Sequence, residues 1–272
     1  MRIAVGIEYD GSGFAGWQLQ RGLQTVQGAV EAAFTQVADS PIQVVCAGRT
    51  DTGVHAREQV AHFDTQAERS TRSWVLGANS RLVDAITVRW AQFVDPAFHA
   101  RFTAQWRVYR YCILNRGERP ALAARRAVFV RRPLDVARMS EAASALLGQH
   151  DFSAFRSSEC QARSAVRTVR RLHLERMGEF VLLEVEANAF LHHMVRNIAG
   201  VLIAIGKGDA APAWAAEVLA SRDRRAGGVT APAEGLYLWR VGYPPGFGLP
   251  NDSDMIADHR TSPVGCPADL LG

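Results

Sequence analysis

The sequence predicts an α+β fold, and three observations predict it. Apolar residues alternate in short strand-like runs, recur at helical spacing in others, and the two kinds of segment follow the order β-α-β-β-α-β in each half of the chain. That order is the ferredoxin-like unit. No direct sequence repeat accompanies it, so the duplication lies in element order alone. Two such halves would offer edge strands that can join, leaving a cleft between them.

In the first half, Ile3, Val5, Ile7 and Tyr9 alternate, which predicts a strand over Arg2–Tyr9. Thr25 stands where a helix N-cap belongs, ahead of Val26, Val30, Ala33, Phe34 and Val37 at helical spacing. Strands follow over Ile42–Ala47 and Gln59–Asp64, then a short helix over Arg72–Ser80 and a strand over Ile86–Phe93. The second half opens with a strand over Gln105–Leu114. A helix over Leu134–Leu147 carries Val136, Met139, Ala143 and Leu146 on one face and Gly148 as its stop. Strands over Val166–Arg176 and Glu179–Ala187, helices over Phe190–Ile205 and Ala213–Ala220, and a strand over Leu236–Gly242 complete it. The expected division is 1–100, 101–244 and a peripheral tail, 245–272, in which Pro, Gly and Asp dominate without periodicity.

Composition narrows the function. At 272 residues and 48% hydrophobic content the chain has ample material for a core. Its four cysteines, at 46, 112, 160 and 266, form no Cys-x-x-Cys pair, which argues against a disulfide framework or a zinc site and suits a reducing cytoplasm. The most apolar run, Phe190–Gly206, contains His192, His193, Arg196 and Asn197, so no membrane span is expected, and Glu8 and Asp10 argue against a cleavable leader. Net charge is only +4, yet ten arginines lie between Arg101 and Arg138 against Glu118 and Asp135. Such clustering suits a phosphate backbone. Thirty of the 31 basic residues are arginine, a bias that genome composition can explain; the clustering is a separate matter.

Several motifs dissolve in context. Gly11–Gly16 fits GxGxxG, but no helix opens at that loop, and the next strand ends in Ala47-Gly48-Arg49 rather than at an acid. Asp51-Thr52-Gly53 matches the aspartic protease triplet, but the second copy needed for a shared proton is absent. His192-His193 lacks the spacing of a helical metal site. More informative is Cys46–Arg57, CAGRTDTGVHAR, which packs Arg49, Asp51 and His55 into seven residues. Arg196 shares a helix face with His192, and its charge in an apolar helix calls for an acidic partner, for which Asp51 is the candidate. On the strand Gln105–Leu114, Tyr111 reads as a half-buried sheet former. Tyr109, flanked by Arg107 and Arg110, suits stacking on a base.

Taken together, YDGSGFAGWQ (Tyr9–Gln18), CAGRTDTGVHA (Cys46–Ala56), DPAFHARF (Asp95–Phe102), YRY (Tyr109–Tyr111), NAFLHHMVRNI (Asn188–Ile198) and AEGLYL (Ala233–Leu238) resemble, in order, the motifs of the tRNA pseudouridine synthase A family. The resemblance runs from about Ile3 to Tyr243, with Thr52 standing where the family more often has Ala. It implies a mixed, mainly antiparallel sheet with helices on one side and an active site in a central cleft. It also implies a homodimer without cofactor or metal. The implied reaction is isomerisation of uridine to pseudouridine at nucleotides 38, 39 and 40 of the tRNA anticodon stem-loop. Asp51 then matches the nucleophile or base at the flipped uridine, whether it attacks C1′ or removes a ribose proton. Arg196 keeps it ionised. Arg49 matches the arginine that enters the stem, Tyr109 the tyrosine that stacks on the base and assists loss of the C5 proton, and Leu236 an apolar pocket wall. His55 is read as shaping the loop. The rival in another class is a non-catalytic tRNA-binding protein using the arginine patches alone.

Overall fold

A computed structural model describes residues 1–250. Of the expected tail, 245–272, the part from 251 on lies outside the described residues. The chain is α+β, and most of its strand pairs run antiparallel. It divides into two compact units, Met1–Gln105 with the stretch beginning at Tyr237, and Trp106–Leu236.

The first unit contains β1 (Arg2–Tyr9), α1 (Val26–Ala38), β2 (Val45–Cys46), β3 (His55–Asp64), α2 (Thr71–Asn79), β4 (Ile86–Val94) and, from Tyr237 on, β10 (Leu236–Gly242). β1 lies between β4 and β3, antiparallel to both. Thr25 caps α1 as expected, its hydroxyl accepting from the Gly28 amide at 3.2 Å. Both helices pack on the sheet through an aromatic cluster: Phe34 of α1, Phe63 of β3 and Trp74 of α2 have ring centroids 4.8 to 6.1 Å apart. All three are fully buried, which makes them the main apolar anchors of this layer.

Three expectations change here. The strand expected over Ile42–Ala47 shrinks to two residues, because α1 side chains take its backbone donors: Thr35 Oγ1 accepts from Ile42 N and Glu31 Oε1 from Val44 N. β3 begins four residues before the expected Gln59. It is buried on both faces, so its start carries no alternation to read. The strand Leu236–Gly242, read with the second half, instead runs parallel to β3, with Tyr237 opposite His55 and Leu238 opposite Ala56.

The second unit contains β5 (Trp106–Asn115), β6 (Val128–Val130), α3 (Val136–Ser144), β7 (Gly148–Asp151), β8 (Val166–Met177), β9 (Phe180–Ala187), α4 (Met194–Gly206) and α5 (Trp214–Ser221). Its strands order as β5-β9-β8-β7, with β6 parallel to β5. Asp135 caps α3. Where α3 and α4 meet, a side chain on Gly206 would collide with Met139 Sδ at 2.6 Å. α4 starts at Met194, four residues later than expected, because His193 adopts a left-handed conformation (φ 62°) incompatible with a helix interior. β6 and β7 escape sequence reading because one is three residues long and the other, Gly-Gln-His-Asp, is polar. Among the described residues no helix is long and apolar enough to cross a membrane, and Cys46 and Cys160 are free thiols.

Candidate active site

Asp51 sits in the loop between β2 and β3, in a turn closed by the Val54 amide donating to the Asp51 carbonyl at 3.1 Å. Gly53 supplies the positive φ (78°) that the turn needs. The loop is secured both ahead of Asp51 and beside it. Ahead of it, Gln59 is fully buried, donates to the Gly48 carbonyl at 2.6 Å and accepts from the Gly48 amide at 3.3 Å. Next to Asp51, the Thr50 hydroxyl bonds the Tyr9 hydroxyl at 2.8 Å in a buried setting, and the Thr50 carbonyl accepts from the Trp17 amide at 3.0 Å. Gly16, at φ 86°, lies so close that a β-carbon there would meet the Thr50 carbonyl oxygen at 2.7 Å. The glycines of Gly11–Gly16 therefore serve close backbone packing. Asp51 itself is half-buried and Arg49 is exposed.

His55 begins β3 and is buried, stacked on Tyr237 with ring centroids 4.6 Å apart. Its Nδ1 lies 3.1 Å from the Gly11 amide nitrogen and 3.2 Å from Asp10 Oδ1. The His55 contact, helped by the Ser12 hydroxyl and amide, holds the Asp10 carboxyl well below the usual carboxylate range. These contacts tie the Gly-rich loop, β3 and β10 together.

Arg196, Tyr109 and Leu236 belong to the second unit. Arg196 stands in the first turn of α4. Its Nε donates to the Ala231 carbonyl at 2.9 Å, while the Ala231 amide donates back to the Arg196 carbonyl at 3.1 Å. One turn further, Gly200 admits the Val229 carbonyl, which a β-carbon would meet at 2.1 Å. Asn197, buried in the same helix, donates to the Phe155 carbonyl at 2.7 Å and accepts from Thr230 Oγ1 at 2.7 Å and Arg224 Nη2 at 3.0 Å. The segment Val229–Pro232 is thus a strap along α4. Its far end is fixed by the Tyr111 hydroxyl donating to the Pro232 carbonyl at 2.7 Å. Burial pushes the Tyr111 phenol well up, opposed by the nearby Arg196 charge. The strap ends in the turn Ala233–Gly235, which packs against the Cys112 carbonyl and leads into buried Leu236.

Tyr109 lies in mid β5 opposite Val185, nearly buried, its ring edge-on to Phe190 at 4.9 Å. Its arginine neighbours do not form the open basic patch that the sequence suggests. Arg110 Nε pairs with Glu184 Oε2 at 2.8 Å, and Arg107 Nη1 donates to the Asn188 carbonyl at 3.0 Å, both nearly buried.

Sequence reasoning missed the supporting residues Tyr9, Thr50, Gln59, Asn197, Gly200 and Thr230. Only Asn197 carried a signal, being an amide in an apolar helix that must find partners.

A family model described as tRNA pseudouridine synthase matches residues 6–103 and 142–244. The chain is 59% identical over 253 residues to the tRNA pseudouridine synthase A of Methylococcus capsulatus, covering 93% of each. Against that of Nitrosococcus oceani the identity is 56% over 256 residues, covering 94% of this chain and 99% of the relative. Against that of Pseudomonas aeruginosa it is 54% over 250 residues, covering 92% and 88%.

Proposed function

Because this chain belongs to the tRNA pseudouridine synthase family, whose members are isomerases converting uridine to pseudouridine in tRNA, we propose that it modifies nucleotides 38, 39 and 40 of the anticodon stem-loop, with Asp51 as the group that acts on the ribose. The observation that carries this reading is the Asp51 loop, a half-buried carboxylate on a backbone pinned from both sides. Such pinning suits a group that must meet a reacting carbon within a fraction of an ångström.

The reaction breaks the C1′–N1 bond, turns the uracil, forms C1′–C5, and moves the C5 proton off the ring as N1 gains one. Ionised Asp51 either attacks C1′ directly or takes a ribose proton to give a glycal. Arg196 supplies the cation of the reaction, its guanidinium offsetting negative charge in the transition state. Tyr109 offers its ring to the base and its hydroxyl to the proton leaving C5. Leu236 forms an apolar wall against the uracil. A stem uridine must first leave the helix, at a cost of about a few kcal/mol, and exposed Arg49 holds the vacated stem open. The protein acts as a homodimer in the cytoplasm, using its own side chains without a cofactor.

The test is tritium release from C5-labelled uridine in tRNA, with pseudouridine mapped on the product. The wild-type chain releases label from positions 38 to 40. Asp51→Asn abolishes release while tRNA affinity stays within about twofold, since the carboxylate acts on the extruded nucleoside and not on the phosphate backbone. Near-normal turnover in that variant sinks the mechanism. Wild-type affinity for tRNA without any label release would favour a binding protein.

A further inference from the structure

The turn Phe98–Thr103 of the first unit is held from several directions yet presents an aromatic ring to water. Phe98 is fully buried against Tyr243 and Phe247, with centroids 5.1 and 5.2 Å away, and its carbonyl accepts from Arg2 Nη1 at 2.8 Å. Ala100 is fully buried; its amide donates to His62 Nδ1 at 3.2 Å and its carbonyl accepts from the Tyr243 hydroxyl at 2.6 Å. The amides of Arg101 and Phe102 both donate to His99 Nδ1 at 3.2 Å. Thr103 closes the turn on the His99 carbonyl through its amide (3.0 Å) and hydroxyl (2.7 Å). Two imidazoles therefore receive three consecutive backbone amides, and burial keeps both histidines below their ordinary range, so the lone pairs stay available.

On this fixed base Phe102 is 75% exposed. One face of its ring rests on the His99 imidazole at 4.3 Å, and the Arg101 guanidinium stands 5.7 Å from the ring centroid. Isolated exposed apolar residues are ordinary. This one differs because an immobilised turn presents it with a cation alongside, the combination that takes the face of a nucleobase and its phosphate. The turn also lies near the nucleophile loop, since the buried Cys46 thiol feels the charges of both Arg49 and Arg101.

We infer that Phe102 is a second RNA-contact residue, its open face stacking on an unpaired nucleobase of the substrate while Arg101 takes the adjoining phosphate. This rests on the reading of the chain as a tRNA-modifying enzyme and adds a binding element to it.

The experiment measures equilibrium binding of an unmodified tRNA transcript across a salt series, for the full chain and four variants. Phe102→Ala weakens binding about tenfold without changing the salt slope, since stacking releases no counterion. Phe102→Leu, which keeps an apolar contact on His99 but has no π face, loses as much. Phe102→Tyr stays within about twofold. Arg101→Ala lowers the salt slope by about one. Leucine binding like wild type overturns the stacking assignment. So does unchanged affinity in every Phe102 variant, and if Phe102→Ala then alters the sedimentation coefficient, the turn is a protein contact instead. Mapping pseudouridine on the wild-type product separately reports the modified positions, so an error there leaves this result readable.

Discussion

The loop of Asp51 is fixed by contacts around its backbone, whereas Arg196 is gripped at its own Nε as well as at its backbone, and the lengths of the two side chains explain the difference. A carboxylate two torsions from the main chain is located once its loop is located. Gly16, the Tyr9–Thr50 pair and the Gln59–Gly48 pair do that without touching the acid's oxygens. An arginine has four torsions and about 2 kcal/mol of rotamer entropy to lose. Fixing its helix is not enough, and the strap at Ala231 takes hold of Nε directly. A short functional group is aimed by close packing of backbone, a long one by a dedicated acceptor.

After the complete loss expected of Asp51→Asn, the largest effect comes from removing the gripped group. Arg196→Ala should lower the single-turnover rate on the order of 10³-fold in a folded protein. Arg196→Lys should fail to restore it, because an ammonium has no Nε to give to Ala231. A near-wild-type rate in Arg196→Lys would break the idea that the strap aims this side chain.

Next comes the backbone side of the comparison. Gly16→Ala puts a methyl 2.7 Å from the Thr50 carbonyl at a strained φ of 86°, so the loop must shift. A displacement approaching an ångström costs about 10²-fold in rate, with tRNA affinity little changed. An unaffected rate would mean that Asp51 does not depend on this packing.

Acid separates the two units in another way. Burial, reinforced by the charges of Arg2 and His99, lowers His62 from 6.5 to about 4. Between those values the unfolded chain holds a proton that the folded chain refuses. The stability that neutral His62 contributes is therefore full above about pH 6.5 and drains away as pH falls toward about 4. The loss is about 2 kcal/mol once partial solvent screening is allowed for. Urea unfolding from pH 7 to 4 should show it, with His62→Gln flattening the curve. Amide exchange, corrected for its intrinsic pH dependence, should rise first at Ala100 and β3, ahead of α4. Simultaneous loosening of α4 would contradict that order.

The smallest effect is expected from Tyr9→Phe, which deletes the hydroxyl bonded to Thr50. About 1 kcal/mol of stability and a few-fold loss in rate are expected, measured by thermal unfolding and by tritium release. A larger rate loss than that of Gly16→Ala would reverse the order of importance within the loop.

Much of this was legible along the chain. Alternation in Ile3–Tyr9 and helical spacing after Thr25 announce β1 and α1, because both periodicities belong to neighbouring residues. The loop carrying Asp51 announces itself through Gly48 and Gly53, and Arg196 through its charge in an apolar helix. The sequence could not reveal what each group rests on. Leu236–Gly242 reads as a strand from its own residues, but its parallel pairing with β3 depends on a partner far earlier in the chain. His62 and His99 look like ordinary histidines until the fold brings three amides to their rings. Thr230 and Ala231 carry no pattern at all, and only α4 arriving beside them makes a strap. By itself the sequence determined most of the elements and singled out the residues proposed to react, since these follow from residues a few positions apart. The tertiary structure decided which backbone carbonyls and imidazoles would hold those groups, because hydrogen bonds between distant segments exist only once hydrophobic burial has brought the segments together.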